Sequence, residues 1–294
     1  MKLIKISPIQ KKIIYKKPVN VAGKIYNERE IFELEVYTDH GTTHTELSLI
    51  DNLHQSTYRE ALNSYINPEN FINWHREIKY PIEAALFQIS QPGNRIANIR
   101  VNSYLDPSIE RKSIHQEHTY KVKIGRGSID SDVELLKGLE HKCLRLDANR
   151  TLSSPEFEKY LQVLENYDYF EEPFSDIKDY NLFPNERFAL DENIENLELQ
   201  KLTSVKAFVI KPSLLGLEKT LQLIKTAKNL GKRVVISSTF EGEIGHLSLG
   251  RIASYSDNYL GYREEHGLGT ISFLSDSLKI IGICVVKNGI ELKF

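Results

Sequence analysis

Lys123, Asp147, Glu171, Asp191 and Lys211 each follow a short apolar run, and they succeed one another at intervals of 24, 24, 20 and 20 residues. A strand, a helix and their connections take up about that much chain, so each interval moves one βα unit along and returns to the same face. One charge after a strand is ordinary loop chemistry. Five in register require parallel neighbouring strands whose carboxyl ends open on a common space. The surrounding pattern agrees. Strands are predicted at Ile99–Leu105, Tyr120–Ile124, Leu144–Asp147, Tyr169–Glu171, Phe188–Asp191, Ala207–Lys211, Val234–Ser237 and Tyr259–Tyr262. Helical stretches such as Asp130–Glu140, Ser154–Asn166 and Leu217–Asn229 lie between them, with Gly231 ending the last. Eight strands alternating with helices over residues 91–279 predict an α/β fold with a (β/α) barrel. A flavodoxin-like or Rossmann sheet is the competing arrangement, but no G-x-G-x-x-G follows the first of these strands, and His266-Gly267-Leu268-Gly269 holds only a lone G-x-G.

Ahead of the barrel, residues 1–90 predict a small α+β domain. Lys2–Ser7, Lys11–Lys16 and Ile31–Thr38 read as strands, with a turn at Asp39-His40-Gly41. Tyr58, Ala61, Leu62 and Tyr65 stand at helical spacing, and a second helix covers Ile82–Ile89. Residues 280–294 are expected to pack back on this domain. The 294 residues suffice for such a pair of domains. A net charge of −2 gives no global pull toward nucleic acid or membrane. The lysines at 11, 12, 16 and 17 alternate with apolar residues, as on an exposed edge strand. Two distant cysteines, Cys143 and Cys284, form no metal-ligand spacing, and His115 with His118 does not make H-E-x-x-H. With no apolar leader and no long apolar run, a cytoplasmic protein is expected, with no nucleic acid or membrane partner.

Asp147, Glu171 and Asp191 converge if their strands are consecutive. At about 4 Å and an effective dielectric near 20, each pair of carboxylates repels by about 4 kcal/mol, so positive charge must sit among them. Three carboxylates with room for water and a substrate oxygen are a ligand set for Mg²⁺. Lys121 and Lys123 lie two apart on one strand and point to one face, as do Arg145, Asp147 and Asn149 on the next. If that face is the barrel interior, two ammonium groups and a guanidinium approach the metal. Crowded cations lower a lysine's pKa and make it a usable base. Lys211 approaches from across the barrel. The chemistry that needs such a site is removal of a proton from carbon beside a carboxylate: a Lewis acid stabilises the enediolate, one lysine takes the proton, and a second cation faces the other side.

These residues resemble the muconate-lactonizing-type branch of the enolase superfamily. Lys121-Val122-Lys123 resembles its K-x-K motif, Leu144–Arg150 its third-strand metal motif, Phe170-Glu171-Glu172-Pro173 its E-E/Q-P motif, Asp191-Glu192-Asn193 its D-E-S or D-E-N motif, and Lys211-Pro212-Ser213 its K-P-S. Within the branch, Arg145, Val235–Glu241 and His266–Thr270 look most like o-succinylbenzoate synthases. The resemblance implies a modified (β/α)7β-type TIM barrel with an N-terminal α+β capping domain. It implies dehydration of 2-succinyl-6-hydroxy-2,4-cyclohexadiene-1-carboxylate to o-succinylbenzoate, in menaquinone synthesis, with Mg²⁺ (Mn²⁺ as substitute) on Asp147, Glu171 and Asp191. Lys123 is then the base, Lys211 stabilises the enediolate, and Lys121, Asn149, Arg145 and Glu192 support them. Ser237, Ser238, Gly267 and Gly269 are candidates for the small-molecule carboxylate substrate. The cap departs from the family pattern: Gly41–Leu47 keeps little beyond the Gly and the Glu. The cap loops expected nearest the site are Val19–Lys24 and Leu47–Leu53. An N-acylamino-acid racemase or dipeptide epimerase needs the same metal and lysine pair and is the alternative; a muconate-type cycloisomerase, a catalytically inactive scaffold and a nucleic-acid binder fit the residues less well.

Overall fold

Alternation of β-branched or aromatic residues with charged ones makes the first 47 residues strands. The computed structural model describes residues 1–65, 73–91, 98–105, 119–137, 139, 143–164, 166–275, 282–286 and 289–293. In it β1 (Leu3–Val21), β2 (Lys24–Thr38) and β3 (Gly41–Leu47) form an antiparallel sheet in that order. The two short strands predicted at Lys2–Ser7 and Lys11–Lys16 are parts of β1. Along its length it pairs with β2, with one further bridge from Tyr15 to Leu274, and an edge strand is where Pro8 and Pro18 are tolerated. Lys11 and Lys12 lie exposed along it, paired with Glu33 and Glu28 of β2. Ile6, Leu34, Val36 and Leu47 pack against α1 (Tyr58–Ser64) and α2 (Arg76–Ser90), which contribute Ala61, Ile78, Ile82 and Ala85 to this core. A capping box between Thr57 and Glu60 starts α1.

The strands beyond are β4 (Ile99–Val101), β5 (Ser103–Leu105), β6 (Thr119–Lys123), β7 (Cys143–Asp147), β8 (Tyr169–Glu171), β9 (Phe188–Leu190), β10 (Val205–Ile210) and β11 (Arg233–Ile236). Helices α3 (Ile129–Lys137), α4 (Ser154–Val163), α5 (Leu197–Lys201), α6 (Pro212–Leu215) and α7 (Leu217–Leu230) intervene, and Gly231, in the left-handed region, closes α7 as expected. β5 to β11 make one parallel sheet in chain order, curled into a half-barrel. Side-chain parity sorts its two faces. Even-numbered Val122, Leu146, Phe170, Leu190, Phe208 and Ile236 join the large core beneath the helices. Odd-numbered Tyr169, Ala189, Ala207, Val209 and Val235 form a separate cluster inside the curl. Burial on both faces explains why these strands read as unbroken apolar runs.

One predicted strand is a helix. Tyr259–Tyr262 falls at the end of α8 (Glu243–Leu260), whose buried Leu249, Ile252, Ala253 and Ser256 recur at helical spacing. Tyr255 and Tyr259 stack one turn apart, and Gly261 ends the helix in the left-handed region. The tyrosines' strand propensity loses to that packing. The gap is filled instead by residues 266 and 267, which bridge in parallel to Val101 and Ser237 and so lie between β4 and β11. β12 (Gly282–Val286) and β13 (Gly289–Lys293) form a hairpin whose second strand is antiparallel to β4. We propose a cap-to-barrel boundary near residue 90, where α2 ends, with the hairpin seated at the junction through β4. Among the described residues no helix is long and apolar enough to cross a membrane. His115 and His118 lie outside the described residues.

Candidate active site

Parallel pairing carries the five charged positions to one end of the sheet. Lys123, Asp147 and Glu171 are the last residues of β6, β7 and β8 and are register partners, while Asp191 and Lys211 come directly after β9 and β10. Asp147 and Glu171 are each 1% exposed. The Lys121 ammonium lies 2.7 Å from both Asp147 Oδ2 and Glu171 Oε1. Lys123 reaches the same Asp147 oxygen at 2.5 Å and also donates to the Asn149 side-chain oxygen. Lys211 pairs with Asp191. Asn149 donates from Nδ2 to Glu192 Oε1 at 3.3 Å, which ties the loops after β7 and β9 together.

Burial sets the electrostatics and the neighbours divide it unevenly. Burial opposes ionisation of Asp147, but Lys121 and Lys123 outweigh it and hold the carboxyl below the usual range. Burial, then the adjacent Asp147, push Glu171 up to about 7. Burial likewise raises Asp191. Lys121 and Lys211 resist burial through their carboxylate partners and are raised. Lys123 is the one of the three lysines that is lowered, by burial and by Lys121 beside it.

Lys121, Lys123, Asp147, Asn149, Glu192 and Lys211 line a cavity of about 570 Å³. So do Ser237, Ser238, Gly267 and Gly269, as well as Asn20–Gly23 and Leu53 from the two cap loops expected nearest the site. The Ser238 hydroxyl is engaged with Thr270 and with the Phe240 amide, whereas Ser237 Oγ has no protein partner among the described residues. The two glycines are there for closeness. A Cβ on Gly269 would stand 2.4 Å from the Asn102 carbonyl oxygen, and one on Gly267 2.7 Å from Ser237 Oγ. Gly269→Ala is therefore expected to destabilise the protein by about 1–3 kcal/mol, read as a lowered denaturant midpoint at unchanged m-value.

Arg145 is not where a guanidinium near the metal would be. It faces the interior two residues before Asp147, hence one layer deeper, and bonds to Asp168 Oδ2 at 2.9 Å, Glu264 Oε1 at 2.7 Å and the Glu265 carbonyl at 2.6 Å. Arg233 binds the same Asp168 and Glu264, so the four close the floor beneath the cavity. Sequence reading missed Asn102, Tyr104, Arg126, Arg150 and Phe240 on the cavity wall. Arg150 and Phe240 lay within quoted motifs, and the others carried no local signal.

The donors present suit a hard divalent cation: three carboxylates, no sulfur, no imidazole. Asp147 Oδ2 is buried and, despite its two ammonium neighbours, has no aligned hydrogen bond. Among the described residues no three metal-binding side chains are already gathered round a single point, because ammonium groups stand between the carboxylates.

No family model matches the chain. It is 29% identical over 241 residues, 71% of this chain and 74% of the relative, to o-succinylbenzoate synthase of Escherichia coli O6:K15:H31 (strain 536 / UPEC). A solved o-succinylbenzoate synthase from Thermosynechococcus elongatus BP-1, complexed with Mg in the active site, superposes at TM-score 0.72 with 16% identity over 92% of this chain and 95% of the other. A dipeptide epimerase from Enterococcus faecalis V583, complexed with Mg and the dipeptide L-Leu-L-Tyr, superposes at 0.79 with 18% identity over 99% and 97%. The chain is an enzyme with the enolase-superfamily fold, and its sequence is similar to that of the o-succinylbenzoate synthases.

Proposed function

We propose that the enzyme dehydrates 2-succinyl-6-hydroxy-2,4-cyclohexadiene-1-carboxylate to o-succinylbenzoate, the step of menaquinone synthesis expected from the sequence. The observation that carries this reading is the cavity wall on which Lys123 and Lys211 stand with buried carboxylates beneath them. Similarity to the synthases supports the choice of substrate. Asp147, Glu171 and Asp191 would hold a divalent cation, Mg²⁺ or Mn²⁺, whose chemistry is to polarise the substrate carboxylate as a Lewis acid. Lys123 takes the proton from the ring carbon beside that carboxylate, and the C–H electron pair moves into the carboxylate as an enediolate. Lys211 stabilises this charge from across the cavity. The pair then returns to form the ring double bond as the C6–O bond breaks, the departing hydroxyl takes back the proton that Lys123 removed, and water leaves with the base regenerated. Lys121 helps to hold Asp147 ionised and opposes the rise of Glu171's pKa, and Asn149 orients the Lys123 ammonium.

A second reading, epimerisation of a dipeptide or N-acylamino acid, draws on the fold match to the epimerase. The two readings use Lys211 differently. Dehydration needs it only as a charge; epimerisation needs it to exchange a proton. Lys211→Ala is expected to retain part of the dehydration, whereas any racemase activity should fall by about 10²–10⁴-fold. Equal loss of both activities in side-by-side kinetics would favour the epimerase reading.

A further inference from the structure

Two patches of the cap bond to barrel residues 240–245: Arg29 with the Tyr15 hydroxyl at the Phe240 carbonyl, and Glu46 at the Gly242 and Gly245 amides. Arg29 of β2 is 6% exposed, and its guanidinium donates to Ser48 Oγ at 2.8 Å, to the Leu49 carbonyl at 2.7 Å and to the Phe240 carbonyl. Tyr15 stands beside it, with its hydroxyl 3.3 Å from Arg29 Nε. Ser48 and Leu49 begin the cap loop that carries Leu53 to the cavity. Farther along, Glu46 accepts from the Gly242 and Gly245 amides at 2.6 and 3.0 Å, at the start of α8. A Cβ on Gly242 would come within 2.7 Å of that carboxylate.

Phe240 is itself the first of these attachments. Its φ is +63°, in the left-handed region that residues with a Cβ avoid unless their surroundings impose it. Its ring lies on the cavity wall, 5.9 Å from the ring of Phe273, which meets Tyr104 of the same wall at 5.9 Å. The phenyl rings of Phe240 and Phe273 have no proton chemistry to perform. Phe240 offers the cavity a flat apolar surface, backed by Phe273.

We propose that Phe240 is the specificity-determining contact for the ring of the substrate, and that Arg29 is a positioning residue that fixes Phe240 and the cap loop in one arrangement. The ring's identity rests on the synthase reading; the clamp does not. In this arrangement the cap selects substrates through a barrel side chain, by one buried cation that joins both walls.

The test is steady-state kinetics of the metal-loaded full chain carrying Phe240→Ala, Arg29→Met, Arg29→Lys or the Arg29→Met/Phe240→Ala pair. Phe240→Ala should raise KM about tenfold or more with a smaller fall in kcat. Arg29→Met should show the same split, Arg29→Lys should recover part of it, and the double variant should be no worse than Phe240→Ala alone. An unchanged KM in Phe240→Ala, or losses that multiply in the double variant, would overturn the proposal. If Arg29→Met does not fold, Arg29→Lys decides: a wild-type KM counts against the clamp, an intermediate one for it. If the wild-type enzyme makes no o-succinylbenzoate, the same cycle is run on the N-acylamino acid or dipeptide it turns over. Amide exchange without substrate then reads the clamp by itself: faster exchange at residues 239–242 of an Arg29 variant, with α7 unchanged, supports it, and wild-type exchange there refutes it.

Discussion

Lys123→Ala is expected to lose about 10³-fold or more in kcat while its melting temperature stays close to that of the wild-type enzyme. The magnitude is that of removing a positioned base. All three ammonium groups have carboxylate partners, Lys123 at Asp147 included, and the choice of Lys123 follows from how burial and charge balance at each. Lys121 bridges two buried carboxylates and Lys211 is paired with Asp191, and both are held protonated. Lys123 is lowered from its ordinary value, and burial is the main cause. A base must be unprotonated to act, so kcat/KM should rise with pH and level off above a pKa lower than 10.5, the ordinary lysine value. Lys123→Arg should not restore activity, since a guanidinium stays charged. A variant at position 123 with near-normal turnover would remove the base from this account.

The second large effect concerns the carboxylates. Glu171→Gln, or chelation with EDTA, is expected to lower kcat by about 10³-fold, comparable to deleting a preorganised group that stabilises developing charge. Stability gives an independent readout. Glu171 has its folded pKa raised from 4.5 to about 7. The stability this confers is fully present below pH 4.5 and is lost as the pH rises toward 7. The metal-free protein should therefore melt at progressively lower temperature across that window, and Glu171→Gln should flatten the fall. Part of the slope should persist, because burial also pushes Glu172 up to about 7. Added Mg²⁺ should raise the midpoint at neutral pH, by about 2.7 kcal/mol of stability at a hundredfold excess over Kd. A melting temperature indifferent to both Mg²⁺ and position 171 would contradict the assignment of these carboxylates.

The charged strand ends were legible because parallel strands and side-chain parity are local rules. Lys123, Asp147 and Glu171 end up as register partners for that reason. The same parity misled at Arg145, which shares its face with Asp147 but not its depth. Spacing along a strand tells which face a residue occupies; its layer depends on what lies across the barrel, here Arg233 and Glu264. Tyr259–Tyr262 failed because four residues of strand-like composition sit at the end of a helix whose buried face begins sixteen residues earlier, at Glu243. Arg29 and Phe240 were not legible as partners, since 211 residues separate them and only the docking of cap on barrel joins them.

The most direct test is to incubate the purified, Mg²⁺-loaded enzyme with 2-succinyl-6-hydroxy-2,4-cyclohexadiene-1-carboxylate and follow aromatisation, with EDTA and Lys123→Ala as parallel samples. Rapid formation of o-succinylbenzoate, abolished by the chelator and by the substitution, is the result expected here. No turnover in the metal-loaded wild-type enzyme, alongside epimerisation of a dipeptide or N-acylamino acid, would contradict the synthase reading and leave the barrel with its lysines to the other chemistry.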